Sequence, residues 1–256
     1  MIREKLGTIF GFILFGVILI GLVYVIVFTE KPAREIYSEI VIEGNQILPA
    51  QDYLIGSDLN KEMEYQELTL QEIRKRIMNH PYIDRAEIQS DGEGTVTVKV
   101  YEKNFKALFL VKNGTYLITQ DFEIVKLKTN SDISDLPVIS NVYVNNSSDR
   151  IKSVKNDELV RAFKIIDASQ LLNNGMYEHL AEINLRYGGD VILNFTGITC
   201  PVIFGKGAEG KKIVILSTVW EGLRNQEKLF KNKSYVDLRF NNEIFIGKPV
   251  NTESNG

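Results

Sequence analysis

The apolar residues of this chain are distributed in three different ways, and each predicts a different kind of element. From Leu6 to Thr29 there are 24 residues without a charge, rich in Ile, Leu, Val, Phe and Gly. About 20 apolar residues at 1.5 Å each cross a bilayer core of roughly 30 Å, so this run predicts a membrane-spanning helix. Further on, apolar and polar residues alternate, as in Ile40 and Ile42 between Glu39, Val41 and Glu43, which is the period of a half-buried strand. Elsewhere the spacing is helical, as in Leu70, Ile73 and Ile77.

A cleaved signal peptide would have an apolar core of only about 7 to 15 residues followed by small residues, and Val27-Phe28-Thr29-Glu30-Lys31 offers no such site. A retained anchor is therefore expected over 6–29, after a cytoplasmic tail of Met1 to Lys5. Charge does not orient it, since Arg3 and Lys5 precede the span and Lys31 and Arg34 follow it. More than 200 residues lie beyond it, and long domains are translocated largely regardless of charge, which predicts the bulk of the protein outside the cytoplasm. Gly7 and Gly11 have the spacing of the small-residue packing motif and are the candidate residues for a helix partner in the bilayer.

After a tether at 30–37, the pattern predicts strand, helix, helix, strand, strand over Ser38 to Lys103. Gly44-Asn45 ends the first strand, and a short helix begins at Leu48-Pro49-Ala50. Thr69-Leu-Gln-Glu72 is a capping box that opens the second helix, and Pro81 stops it near Asn79. Ala86 and Ile88, the turn Asp91-Gly-Glu-Gly94, and Val96, Val98 and Val100 make a hairpin. The expected unit is a three-stranded sheet covered by helices on one face.

From Asn104 short strands dominate, at Ala107–Val111, Thr115–Thr119 and Pro137–Ser140. One helix is expected from Asp157 to Leu172, stopped by Asn173-Asn174-Gly175. A hairpin of Ile183, Leu185 and Tyr187 with Val191, Leu193 and Phe195 follows. A helix from Lys211 to Phe230 carries Ile213, Leu216, Trp220 and Leu223 on one stripe. The last elements are strands at Tyr235–Phe240 and Glu243–Gly247 around Asn241-Asn242, ahead of a polar tail at 248–256. The fold class is α+β, with a mainly antiparallel β domain with two helices over 104–247.

Composition adds exclusions. With 30 basic and 33 acidic residues, no basic face for nucleic acid is expected. The single cysteine, Cys200, allows no intramolecular disulfide.

Three strings deserve a test for enzyme chemistry. His80 and His179 are the only histidines, and neither has a cysteine or carboxylate partner at ligand spacing. Cys200-Pro201 lacks the surroundings of a catalytic thiol. Gly205-Lys-Gly-Ala-Glu-Gly210-Lys211-Lys212 fits a phosphate-binding loop for seven positions, but the eighth needs a hydroxyl for magnesium, and an ammonium has no acceptor. It reads as a turn into a core helix. No catalytic residue, metal or cofactor is expected, and the chain is not read as an enzyme.

The layout resembles the FtsQ/DivIB family of bacterial cell-division proteins, with one span, a polypeptide-transport-associated (POTRA) domain and a β domain. Ile40-Val-Ile-Glu-Gly-Asn45 is similar to the opening strand of the family, His80-Pro-Tyr-Ile-Asp-Arg-Ala86 to its helix exit, and Val98-Lys-Val-Tyr-Glu-Lys103 followed by Ala107 to its domain junction. Tyr116-Leu-Ile118, Leu136-Pro-Val-Ile139 and Tyr235-Val-Asp-Leu-Arg-Phe240 are similar to strings of its β domain, in order. Two departures stand out: the cytoplasmic tail is only five residues, and Asn104-Phe105 replaces the proline usual after the junction. In an Asn-rich bacterial chain, the Asn-x-Ser/Thr triplets at Asn113, Asn145, Asn146, Asn194 and Asn232 are chance matches to a glycan acceptor.

The resemblance implies a scaffold at the septum of the inner membrane, and the terminal hairpin is its candidate surface, because a free strand edge can accept another strand. Alternation puts Val236, Leu238 and Phe240 toward the core and Tyr235, Asp237 and Arg239 toward a partner. The resemblance adds that the last strands bind a small bitopic coiled-coil protein, FtsB or DivIC, which travels with FtsL. Arg239, Phe240, Asn242, Ile244 and Ile246 occupy that stretch. The alternative is that Asp237 and Arg239 form only a surface ion pair, worth about 0 to 1 kcal/mol. The resemblance also implies a second contact surface on the POTRA domain, along its outer strand or the helix from Leu70. Competing functions are a POTRA module for outer-membrane protein assembly and a membrane-anchored cell-wall hydrolase.

Overall fold

The computed structural model describes residues 11, 13–24, 36–60, 65, 68–111, 114–133, 135–143, 155–225, 235–240 and 243–247. Residues 13–24 form helix α1, whose large apolar side chains are exposed. No helix among the described residues is long and apolar enough to cross a membrane. The span expected over 6–29 runs past both ends of α1. Gly7, the tail at 1–5, most of the tether and the residues from 248 lie outside the described residues, while Gly11 has open space around it.

The first folded unit holds β1 (Glu39–Glu43), α2 (Ala50–Gly56), α3 (Leu70–Met78), β2 (Ile83–Ser90) and β3 (Thr95–Glu102). Its strand order is β1-β3-β2, with β1 parallel and β2 antiparallel to β3. The alternation buries Ile40, Ile42, Val96, Val98 and Val100 against Tyr53, Ile73 and Ile77 of the helices. Thr69 Oγ1 accepts the Glu72 amide at 3.2 Å, which starts α3. Asp91 Oδ1 accepts the amides of Glu93 and Thr95 at 2.7 and 3.0 Å and so closes the β2–β3 turn. At the far end of β3, Glu102 accepts the amides of Gln46 and Ile47 and the Tyr53 hydroxyl, tying the β1–α2 loop to the sheet.

The second unit is a nine-stranded sheet built from β4 (Phe105–Val111), β5 (Gly114–Thr119), β6 (Ile124–Lys126), β7 (Val138–Ser140), β8 (Leu180–Asn184), β9 (Val191–Phe195), β10 (Val202–Gly205), β11 (Tyr235–Asp237) and β12 (Phe245–Gly247). The order is β12-β11-β10-β9-β8-β7-β4-β5-β6. Helices α4 (Asp157–Leu172), α5 (Asn174–Tyr177) and α6 (Glu209–Asn225) complete it. The sheet is mainly antiparallel, as expected, through β4–β5, β5–β6, β8–β9, β9–β10 and β11–β12, while β4–β7, β7–β8 and β10–β11 are parallel. Parallel neighbours need a crossover, and α4 with α5 and then α6 supply the crossovers from β7 to β8 and from β10 to β11. Both long helices pack on one face, where Leu159, Ile166, Ile213, Leu216 and Trp220 meet Phe109, Ile139, Ile183, Leu193 and Phe204.

Local details differ from the sequence pattern. Helix α4 stops after Leu172 as expected, but Asn173 also starts α5, its Oδ1 accepting the Met176 amide at 2.9 Å. The strand expected through Tyr187 ends at Asn184, because Arg186 and Tyr187 take positive φ in the turn to β9. Helix α6 begins at Glu209 rather than Lys211, and Phe230 lies outside the described residues.

The two units share a core. Alternate residues of the sheet end at β4–β6 face opposite ways: Ile118 and Ile124 join the helices, while Phe105, Leu117 and Val125 belong to the core of the first unit. Phe105, which stands next to the position of the missing proline, meets the ring of Tyr82 edge-on at 5.4 Å. Tyr82 Oη donates to Lys126 O at 3.1 Å and accepts the Lys128 amide at 2.9 Å, and the Asp132 amide donates to Ile47 O.

Candidate partner-binding edge

Strand β12 ends the nine-stranded sheet, so one of its sides has no neighbour among the described strands. It pairs with β11 in the register Tyr235–Gly247, Val236–Ile246 and Asp237–Phe245. Val236 and Leu238 are buried in the core, as the alternation required. The Tyr235 ring lies over Gly247, where any Cβ would collide with it. Both strands are shorter than expected, since 238–240 and 243–244 are not in the ladder, and Asn242 lies outside the described residues.

Two side chains depart from the expected facing. Asp237 is only 2% exposed and cannot meet a partner directly. The Arg239 guanidinium folds back on it, Nε donating to both carboxylate oxygens at 3.0 and 3.1 Å and Nη2 to Oδ2 at 2.6 Å. These hydrogen bonds hold the Asp237 carboxyl below the usual carboxylate range, and the pair raises the guanidinium in turn. Arg239 also donates to Asp190 Oδ2 at 3.0 Å. Phe240, expected inward by strict alternation, is exposed because the ladder stops at Asp237. Its ring meets Phe245 at 4.6 Å and 64°.

The sequence placed Ile244 and Ile246 in this stretch without Phe245. In the structure Ile244 packs against the core, whereas Phe245 and Ile246 are 45% and 40% exposed. Phe240 and Phe245 meet beside the strand edge, while Ile246, one residue on, points to the other face. The register with β11 decides this facing, and nothing in the local pattern of the string announces it.

The glycine-rich loop turns into α6 through positive φ at Gly205, Gly207 and Ala208. Lys212 Nζ donates to Phe204 O and Lys206 O at 2.8 and 3.0 Å, which commits the ammonium to carbonyls of its own loop. Glu209 Oε1 accepts the Gly207 amide and the Arg161 guanidinium, both at 3.1 Å. The carboxylate at the helix start is thus committed to its own loop and to Arg161.

The remaining candidate chemistry is also internal. His80 is buried between Tyr53 and Tyr82, and His179 Nδ1 lies 2.7 Å from Gly175 O. Cys200 is buried, which pushes its thiol up. Among the described residues no group of three His, Cys, Asp or Glu side chains could hold a metal ion.

Residues 37–103 match the family model for the POTRA domain, FtsQ-type. The β1-α2-α3-β2-β3 unit is that domain, and the FtsQ-type POTRA family is one of non-enzymatic scaffolds. No curated protein matched the chain. An FtsQ-type POTRA domain at this place in the chain supports a role in cell division of the general FtsQ-like kind.

Proposed function

We propose that the chain is a bitopic cell-division scaffold that links FtsB/DivIC-like and FtsL-like coiled-coil proteins to the divisome at the septum and helps regulate septal peptidoglycan synthesis. The segment 6–29 anchors it in the inner membrane, with the tail in the cytoplasm and both domains outside. The observation that carries this reading is the free edge of β12 next to the exposed Phe240, Phe245 and Ile246. A strand laid along that edge would gain main-chain hydrogen bonds, and the aromatic pair would supply an anchor for one of its side chains. The FtsQ-type POTRA domain favours this role over outer-membrane protein assembly.

The test is affinity purification of the full-length chain with its membrane anchor from its own cells. Small bitopic coiled-coil proteins should be recovered with the wild type. Phe245→Ser should reduce that recovery about tenfold, the effect of losing roughly 1.4 kcal/mol of binding. Absence of such proteins from the wild-type eluate overturns the proposal. Release of muropeptides from purified peptidoglycan would point to a hydrolase instead.

A further inference from the structure

The terminal hairpin is joined to its sheet by little backbone. Strand β11 pairs with β10 through Val202–Val236 and Ile203–Asp237, and the Leu238 amide donates to Ile203 O at 2.9 Å. The next hold is Arg239. One end of its guanidinium grips Asp237, within the hairpin, while Nη1 reaches Asp190 at the turn before β9. Its aliphatic stem passes over Gly205, the last residue of β10: a Cβ there would stand 2.7 Å from Arg239 Cγ, closer than carbons approach without bonding. Gly205 also has φ +72, so a larger residue would strain the backbone as well.

Each of these three features has a separate local cause, yet all converge on the residue before Phe240. Asp190 supplies the charge, Gly205 the space, and Asp237 turns the guanidinium plane. Without the clasp, Arg239 would be free to swing out, and the segment carrying Phe240 would lose its fixed distance from Phe245.

We propose that Asp190 and Gly205 are positioning residues that act through Arg239 to set the place of the partner-binding edge. The capture part rests on the strand-addition reading above; the clasp itself does not. Two measurements on the full-length chain in detergent separate them: hydrogen exchange over Tyr235–Gly247, and affinity for a synthetic extracytoplasmic segment of the FtsB/DivIC-like protein of the same organism.

Asp190→Asn keeps the size and removes the charge. It should speed exchange in the hairpin and weaken capture by about fivefold, the scale of one exposed ion pair, while exchange in β1 and β3 stays unchanged. Asp190→Glu should restore most of both. Asp190→Asn should add nothing in an Arg239→Ala background, and Gly205→Ala should cost less there than in the wild type, because the clashing Cγ is gone. Unchanged hairpin exchange in Asp190→Asn, or additive effects of Asp190→Asn and Arg239→Ala, overturns the proposal. If the wild type captures no segment, the strand-addition reading falls, and the exchange measurement decides the clasp by itself.

Discussion

Lys128 Nζ stands 3.3 Å from Nε2 of His80, on the seam between the POTRA domain and the β domain. The other ring nitrogen, Nδ1, accepts the Tyr82 amide at 3.3 Å. With Nδ1 accepting, the neutral ring carries its proton on Nε2; an imidazolium would lose the Nδ1 acceptor and place a second positive charge beside an ammonium. Burial first, and then the Lys128 charge, lower His80 from its ordinary 6.5 to about 4, with Asp52 opposing. Tyr53 and Tyr82 flank the ring, and Glu102 accepts the Tyr53 hydroxyl behind it.

The first prediction is a pH dependence of stability. The folded value lies below the unfolded one, so the unfolded chain binds more protons between them. The stability from neutral His80 is complete above about 6.5 and is lost as the pH falls through about 4. The loss should reach roughly 3 kcal/mol at most. His80→Asn keeps an acceptor for the Tyr82 amide but cannot titrate, so its denaturant midpoint should vary less between pH 7 and 4. An unchanged pH profile in the variant would show that other groups set it.

Tyr82→Phe tests the same seam by a different route. The hydroxyl is saturated by Lys126 O, the Lys128 amide and Ser131 Oγ, and its loss leaves the Lys128 amide without an acceptor. A cost of about 1–3 kcal/mol is expected. Because Phe105, Leu117 and Val125 of the second unit are built into the core of the first, thermal unfolding should move as one transition rather than split into two.

Lys211 and Lys212 should behave differently despite being neighbours. Lys212 serves two carbonyls of the glycine-rich loop, whereas Lys211 is exposed. Lys212→Ala is expected to lower stability by about 1 kcal/mol and Lys211→Ala to leave it unchanged. Calorimetric titration should detect no ATP binding by the wild type. Binding that Lys211→Ala abolishes would reinstate the phosphate loop.

The edge itself is best challenged at the centre of β12. Proline at Ile246 removes an amide and fits a paired strand poorly, so Ile246→Pro should weaken partner capture more than Arg239→Ala. Circular dichroism establishes that the variant folds. Wild-type capture by folded Ile246→Pro would move attention to the outer strands of the POTRA sheet.

The anchor has a test of its own. External protease added to spheroplasts should degrade both domains if 6–29 spans the membrane with the bulk outside. Survival of the domains alongside cleavage of a periplasmic control would reverse the orientation.

Sequence alone determined the elements whose cause is local. Thr69 and Glu72 fix the start of α3, Asp91 closes its turn with a carboxylate two residues from the amide it accepts, and the period of Val96, Val98 and Val100 needs no partner to be read. The POTRA unit was legible for that reason, since its strands are long and its turns are short. Tertiary structure decided what depends on neighbours distant in the chain. Parallel pairing of β7 with β8 and of β10 with β11 follows from helices crossing over the sheet, and Phe245 is exposed because β12 is the last described strand of that sheet. Asp237 looks like a surface residue by alternation but is buried under Arg239, which Asp190 draws in from 49 positions away. A local pattern reports which face of a strand is apolar; only packing reports whether that face, or the edge beside it, is covered.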